Sequence, residues 1–410
     1  TVFEASPFNR PQVIYATGDN WTGDGRGVQR LYLVNTTADS VRIWVPGVNP
    51  SDTPSTKAIY APGQLYKNVT VDEAGNQVVE YKDKDGQVVL KKVQLSASPG
   101  TAHMGWLCTY YMYDDLGNLR YVLQPQGVVQ LLATGNWTIT NTIRDGLSFY
   151  YGYDARKRMT VKKVPGAGEV YMVYDVKDRL VMTQDANLRD SAKWLATLYD
   201  TLNRAVQTGL IANSAIGGKT FDQHLTSAAL LSTYPFSPYN APSGWDMLTQ
   251  TGYDSYDSIP SGAPSGTLDN SKITSTNFFT TYNAAPNYAQ SITQSTAVRG
   301  LVTWTKIKIL NSTKYLYTVN IYDEKGRLIQ VKSTNYTSTS STTGVDVATT
   351  QYDFSGKVLR THVAHQKSGT NAHTYYVLTK NAYDHGGRLL SITKKTTIDT
   401  QSPSADKIPV

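Results

Sequence analysis

Apolar and polar residues alternate along much of the chain, in runs such as Val28 to Val34 and Val41 to Val45, and a period of two predicts strands. One phrase recurs at the ends of such runs: Tyr-Asp, two variable residues, a Gly or other turn-tolerant residue, a basic residue, then an apolar one. Clean copies are Tyr113-Asp114-Asp115-Leu116-Gly117-Asn118-Leu119, Tyr322-Asp323-Glu324-Lys325-Gly326-Arg327-Leu328, Tyr352-Asp353-Phe354-Ser355-Gly356-Lys357-Val358 and Tyr383-Asp384-His385-Gly386-Gly387-Arg388-Leu389. Looser copies start at Tyr153-Asp154, at Tyr174-Asp175 with Arg179, and at Tyr199-Asp200 with Arg204. Two degenerate ones, Val71-Asp72-Glu73-Ala74-Gly75-Asn76 and Asp83-Lys84-Asp85-Gly86 after Lys82, place the start of the array earlier. Such repetition predicts one supersecondary unit used many times. Helical periodicity is expected only in a short segment from Ser191 to Leu198.

The phrase reads as a β-hairpin tip. Asp followed by two free positions and a residue that accepts positive φ matches a type I turn closed by a glycine bulge. The Asp carboxylate bonds backbone N–H groups two residues on, and Gly enters the left-handed region without a Cβ clash. Lys157, Asp178 and Asn203 replace that Gly in the looser copies; Lys157 is the least suited, so its turn should be strained or altered. A three-residue loop sets Asp323 opposite Arg327, Asp353 opposite Lys357 and Asp384 opposite Arg388. It also sets Tyr113 opposite Leu119, Tyr174 opposite Leu180 and Tyr322 opposite Leu328. Alternation then predicts the charged pairs on one sheet face and the Tyr/Leu pairs on the other, with the aromatic face needing cover.

Four segments follow from this spacing. Residues 1-107 form an N-terminal β region with degenerate repeats, 108-210 carry repeat hairpins spaced 40, 21 and 25 residues apart, 211-320 form a divergent insertion with long loops, and 321-410 return to hairpins. Pro/Ser/Gly-rich stretches at Pro235 to Pro242 and Ser258 to Gly266 interrupt the insertion, where Tyr253-Asp254-Ser255-Tyr256-Asp257 suggests one more turn. The Ser/Thr run Ser333 to Gly344 reads as a long hairpin loop.

Composition fits: with 29 Tyr, 31 Gly and 17 Pro among 410 residues, pleated surfaces and turns are both supplied. A net charge of +7 invites a nucleic-acid reading, but the basic residues sit singly after turn glycines, each with an Asp across the hairpin. Even the densest run, Arg156-Lys157-Arg158 with Lys162-Lys163, is broken in strand fashion and reads as a solvated face. The lone Cys108 excludes an internal disulfide and reads as a small buried hydrophobe. No apolar run is long enough to span a bilayer, and Thr1 to Arg10 lacks the basic start and apolar core of a signal peptide, so the chain reads as a processed or excised segment.

The phrase Tyr-Asp-x-x-Gly-Arg-Leu resembles that of the YD-repeat, or Rhs-repeat, family, which includes bacterial polymorphic toxins, the B and C components of insecticidal toxin complexes, and animal teneurins. The resemblance covers roughly residues 70 to 210 and 320 to 392. The opening, with Phe3-Glu4-Ala5-Ser6-Pro7-Phe8-Asn9-Arg10, Pro62-Gly63-Gln64-Leu65-Tyr66 and Glu80-Tyr81-Lys82-Asp83, also resembles the N-terminal part of long Rhs-repeat proteins of Bacteroidetes-type bacteria. The resemblance implies an all-β fold of repeated β-hairpins forming a long coiled sheet, part of a hollow Rhs/YD-repeat shell that encloses a C-terminal toxin or effector. Family members carry a self-cleaving core segment after the repeats. The expected end of this chain, Ser402 to Val410, shows neither that segment nor a toxin-like tail, so self-cleavage is carried to no residue.

Chemical motifs are sparse. His362, His365 and His373 suggest a metal, but residues three apart on a strand face opposite ways, so no metal site is expected. His103 and His224 have no evident partners in the sequence. Most Asp residues are already used in turns, and Gly23-Asp24-Gly25-Arg26-Gly27 has no helix after it, which leaves a hairpin loop. The tyrosines could stack on sugars, yet pairing with Leu explains them. The Asn-x-Ser/Thr triplets at Asn35, Asn68, Asn136, Asn311 and Asn335 are chance in a bacterial chain.

The expected function is therefore a non-catalytic scaffold of a secreted or cell-surface bacterial protein, with no cofactor. Its partners would be a C-terminal cargo or the remainder of the same shell, together with secretion-system components, and no nucleic acid. The alternatives are a cell-surface adhesion or glycan-binding module and, more distantly, a carbohydrate-active enzyme with converging carboxylates.

Overall fold

In strand Trp106–Tyr113 the buried residues are Trp106, Cys108, Tyr110 and Met112, every second position, so the period of two in the sequence becomes one covered and one open face. The same alternation recurs in strands such as Ser148–Tyr153, Lys193–Tyr199 and Leu328–Asn335 of the computed structural model, which describes residues 1–18, 26–335, 344–368 and 372–399. The fold is all-β, and in each of two compact units the strands run antiparallel to their neighbours in chain order. The loop expected at Gly23 to Gly27 falls mostly outside the described residues, as do much of the Ser333 to Gly344 loop and the end from Ser402 to Val410.

The first unit comprises Thr1–Lys193 with Thr220–Ala229. Its sheet runs through Val28–Val34, Tyr66–Val71, Gln77–Lys82, Val88–Gln94 and Trp106–Tyr113, then through Leu119–Leu123, Ser148–Tyr153, Met159–Lys163, Val170–Tyr174 and Leu180–Gln184. The buried face is covered by a small two-stranded sheet, Arg42–Val45 with Ser55–Ile59, and by helices Pro125–Thr134 and Asn141–Leu147. One core joins them: Val41 from the excursion, Leu90, Tyr110 and Leu123 from the sheet, and Val128, Leu131 and Ile143 from the helices.

The second unit comprises Trp194–Lys219 with Leu230–Val410. Its strands Ala205–Ala212, Asp246–Tyr253, Val302–Lys308, Tyr315–Tyr322, Leu328–Asn335, Gly344–Tyr352, Val358–Lys367, His373–Tyr383 and Leu389–Ile398 pair in that order. Cover comes from the long connection 254–301, whose Phe278 and Ile292 pack on Trp304, Val319, Ile321 and Ile329 of the sheet.

Three expectations need correction. The segment from Ser191 to Leu198 is mostly strand: Lys193–Tyr199 buries Trp194, Ala196 and Leu198 at alternate positions, and the short helix lies just before it, at Ala186–Asp190. Period-two burial outweighs the local helix propensity there. The helices Pro125–Thr134, Asn141–Leu147 and Phe221–Ala228 were not foreseen, although Pro at the first helical turn and Thr140 and Thr220 as N-caps are recognisable start signals. None of the described helices is long and apolar enough to cross a membrane. The third correction concerns which face the repeat tyrosines occupy.

Candidate functional site

The repeat tips are built alike. In the Tyr322 copy, Asp323 N–H donates to the Arg327 carbonyl at 3.0 Å and Gly326 N–H to the Asp323 carbonyl at 3.0 Å. The Asp323 carboxylate accepts the backbone N–H of Lys325 and of Arg327 through Oδ1, and Arg327 Nε through Oδ2 at 2.7 Å. Tyr322 stands opposite Leu328 across a bulge. Asp114 with Gly117, Asp154, Asp175 with Arg179, Asp200 with Arg204, Asp353 with Gly356 and Lys357, and Asp384 with Gly387 and Arg388 close their turns by the same backbone bonds. So do the degenerate turns at Asp72 and Asp83. Tyr113, Tyr153, Tyr174, Tyr352 and Tyr383 face Leu119, Met159, Leu180, Val358 and Leu389. Tyr199 ends the strand before the Asp200 turn.

Lys157 takes φ 61° in an unaltered turn, and its ammonium donates to the Leu116 carbonyl at 2.9 Å. A non-glycine residue in the left-handed region costs about 1 kcal/mol. Lys157→Gly is therefore expected to raise the stability of the first unit by about 0.5–1 kcal/mol, read as a higher urea midpoint; an unchanged or lower midpoint would show that the amine contact outweighs the strain.

The face assignment of the repeat residues differs from expectation. The covered positions are those just before the tyrosines, including Met112, Val173, Leu198, Ile321 and Gln351, while the repeat tyrosines are half-buried on the other face. Between neighbouring hairpins of one unit, the antiparallel register carries a basic residue to the tyrosine of the next copy. The Arg158 guanidinium lies 4.9 Å from the Tyr174 ring centre, Arg327 4.9 Å from Tyr352 and Lys357 6.0 Å from Tyr383. Charge and aromatic ring therefore share a face and stack across repeats.

This stacking is locked by hydrogen bonds that link successive copies. Tyr153 OH donates to the Leu119 carbonyl, Tyr352 OH to Leu328 and Tyr383 OH to Val358, each time the apolar residue of the preceding phrase. In the reverse direction, Arg158 Nη1 donates to the Asp175 carbonyl at 3.1 Å and Arg327 Nη1 to the Asp353 carbonyl at 2.8 Å. A ladder results within each unit, in which such rungs tie neighbouring hairpins together.

The ladder also passes through a copy that is split in sequence. Tyr253 pairs with Val302, and Gly300 (φ 83°) donates its N–H to Asp254 Oδ1 at 2.6 Å, while Asp254 N–H donates to the Leu301 carbonyl. Residues 255–299 thus replace the two variable tip positions. Tyr253 OH donates to the Ala205 carbonyl and Tyr322 OH to the Val302 carbonyl, as in an unbroken array. Arg204 bridges to both oxygens of Asp254 at 2.9 and 2.6 Å; that pairing, with the Gly300 N–H, holds the Asp254 carboxyl at about 2. The sequence signal was present as a half phrase, Gly300-Leu301-Val302, but far from its Tyr-Asp.

The inserted segment is held to the covered face by side chains acting as backbone partners. Gln351, 1% exposed, accepts the Phe279 N–H at 2.9 Å and donates to the Phe279 and Gln290 carbonyls. Gln330 accepts from Asp269 N–H and donates to its carbonyl, and the Lys332 ammonium donates to the Ser265 and Thr267 carbonyls. The first unit repeats the device with Lys92, whose ammonium donates to the Thr101 and Ala102 carbonyls at 2.9 and 2.6 Å. Burial holds the Lys92 amine at about 8. Within the sheet, Gly252 faces Trp304 across neighbouring strands, and a methyl on it would overlap the indole. Gly252→Ala is expected to cost about 1–3 kcal/mol in chemical unfolding, and Trp304 to become more exposed to a fluorescence quencher; equal quenching of both forms would count against it.

The remaining candidates separate. His362 is fully buried, with neither ring nitrogen bonded, stacked 5.6 Å from Tyr376 and edge-on to Phe278. His365 lies exposed beside Asp346, and His373 beside Asp399. His103, taken as isolated from the sequence, bonds Tyr110 OH at 2.7 Å, and helical His224 is buried and not free of contacts. Among the described residues no three His, Cys, Asp or Glu side chains converge as a metal set. Cys108 is buried, which pushes its thiol up to about 11. In the basic run, Arg156 and Arg158 both pair with Asp178 at 2.8 and 2.7 Å. Asn35 is 1% exposed, with its amide spent on Leu65 N–H and the Ala61 carbonyl.

No protein-family model and no curated protein sequence matches the chain. Among solved structures, it is similar to a crystal structure of TcdB2-TccC3-TEV at 11% identity and a TM-score of 0.44, over 96% of this chain and 18% of that one. A crystal structure of TcdB2-TccC3-Cdc42 gives 11% and 0.43, over 95% of this chain and 20% of that one. A Tc holotoxin pore of Photorhabdus luminescens gives 12% and 0.28, over 98% of this chain and 25% of that one. The chain therefore spans a quarter or less of each, and at these values the alignments add nothing to what its own strands establish.

Proposed function

We propose that this chain is a wall segment of a secreted or surface bacterial protein of the Rhs/YD-repeat kind, and that its role is containment of a C-terminal toxin or effector without catalysis. The observation that supports this reading is the ladder. Tyrosine hydroxyls and arginine guanidiniums are spent on joining neighbouring hairpins, and the turn carboxylates on closing their own tips, which commits the groups that could serve chemistry. A sheet locked rung by rung resists local opening, as a container wall must. Its partners on this reading are the cargo and the rest of the same wall, and then components of a secretion route.

Electron microscopy of the full-length parent protein tests the reading. A hollow body with density inside is expected; a solid globule or a flexible string would end it. Sequencing the parent gene beyond Val410 supplies an independent check, since a variable tail after a shared core segment is what a container of exchangeable cargo requires.

A further inference from the structure

A cleft of about 550 Å³ opens in the second unit where the inserted segment meets the last two hairpins, with walls that include Phe279, Tyr288, Phe354, Lys357, Arg360 and Lys380. Its charge is one-sided once existing bonds are counted. The two carboxylates on its rim are committed to their own turns, Asp353 to Ser355 and Lys357 and Asp384 to Arg388. Arg360 and Lys380 are register partners on neighbouring strands. Arg360 donates one N–H to the Asn277 carbonyl at 3.0 Å and lays its guanidinium 3.8 Å from the centre of the Phe279 ring, which fixes the fork and leaves further N–H groups to offer. Beyond its backbone pairing in the sheet, Lys380 makes no side-chain hydrogen bond or ion pair among the described residues. Burial, then the neighbouring Lys395 and Arg360, hold its amine below the usual range, a cost that a bound anion would relieve.

The mouth is aromatic. Tyr288 and Phe354 are 46% and 63% exposed, meet edge to face at 6.1 Å and line the same cleft as the cations. Exposed rings fixed by one another form a platform for the C–H face of a pyranose, and Asn287 on the same wall offers an amide for hydroxyl groups. Cations without carboxylate partners, next to such a platform, match a sugar that carries a carboxylate. A neutral sugar would leave Lys380 unpaired, and a bare phosphate would leave the rings unused.

We infer that this cleft binds a hexuronate residue of an acidic glycan, its carboxylate between Lys380 and Arg360 and its ring against Tyr288 and Phe354. The inference does not rest on the containment reading, and either can fail alone.

The test is calorimetric titration of the whole chain with trigalacturonate, with maltotriose and inorganic phosphate as the other two probes. Saturable binding of trigalacturonate is expected, falling with added salt, with no binding of maltotriose and weaker binding of phosphate. Lys380→Met is expected to lower trigalacturonate affinity about tenfold or more, and Phe354→Ala to lower it severalfold while leaving phosphate binding unchanged. Lys380→Met removes a partly desolvated charge, so its thermal midpoint should hold or rise, which separates lost binding from lost folding. The inference is overturned by no saturable binding of trigalacturonate, by phosphate binding as tightly, or by either variant binding trigalacturonate like the parent.

Discussion

Gln351→Ala is expected to destabilise the second unit by roughly 3 kcal/mol and to free the segment around Phe279 and Gln290 from its sheet. The side chain is 1% exposed and serves three backbone groups at once: the N–H and carbonyl of Phe279 and the carbonyl of Gln290. Truncation leaves those groups without partners in a space too small for bulk water, and each buried unsatisfied group costs about 1–3 kcal/mol. Part of that is recovered as the segment lifts and hydrates, which is why the loss stays below the sum. Gln351→Glu sharpens the test, because it keeps the volume but turns the donor that serves two carbonyls into an acceptor. Hydrogen exchange should show both variants losing protection at Phe279 while strand Val302–Lys308 keeps its own. Intact protection at Phe279 would mean that the apolar contacts of Phe278 and Ile292 hold the segment alone.

Acid is the second large lever, and it acts through His362. Burial, with a smaller push from Lys272, holds this histidine at about 4, against 6.5 for an exposed one. The unfolded chain therefore takes up the proton first. Stability is whole above about pH 6.5 and is lost as pH falls toward 4, by roughly 2–3 kcal/mol over that window. The paired carboxylates, Asp254 at about 2 among them, add a smaller loss that begins only below about pH 5, where the unfolded chain protonates them first. His103 in the first unit is also held at about 4, by burial and then by Lys92 and Arg42, so both units should weaken over the same range. His362→Leu removes the titrating ring from the second unit only. Urea unfolding followed between pH 7 and pH 4 by exchange at Phe278 should be steep in the parent and markedly shallower in the variant; parallel curves would remove His362 from the account.

How much of this was legible in the sequence depends on the distance over which each signal acts. The turns were readable because Asp, Gly and the basic residue lie within five positions and each has a local task, as Asp323, Gly326 and Arg327 show. Partners within a hairpin, such as Tyr322 and Leu328, follow from the same count. The bond from Tyr352 to the Leu328 carbonyl depends on the register between hairpins, which the connecting loop does not encode, and so the face carrying the tyrosines was misjudged. Gln330, Lys332 and Gln351 look like ordinary polar strand residues until the segment they hold is in place. Helix Pro125–Thr134 escaped because its apolar run, Val128-Val129 with Leu131-Leu132, reads equally as a buried strand.

The split copy at Tyr253 and Val302 has a consequence for how such a molecule can grow. Tyr, the basic residue and main-chain carbonyls carry the bonds between hairpins, and the two variable tip positions add only exposed contacts, such as Lys325 Nζ to the Phe354 carbonyl and Arg156 Nη1 to Asp178. A tip is therefore a socket. Chain added there adds only loop-closure entropy, which rises by about 0.6 kcal/mol for each doubling of length. The tips at Glu324-Lys325 and Phe354-Ser355 share with the split copy the bond from the Asp N–H to the carbonyl of the residue after the glycine. Foreign domains spliced into them should leave the frame standing, so new surfaces can be acquired without rewriting the array that bears them.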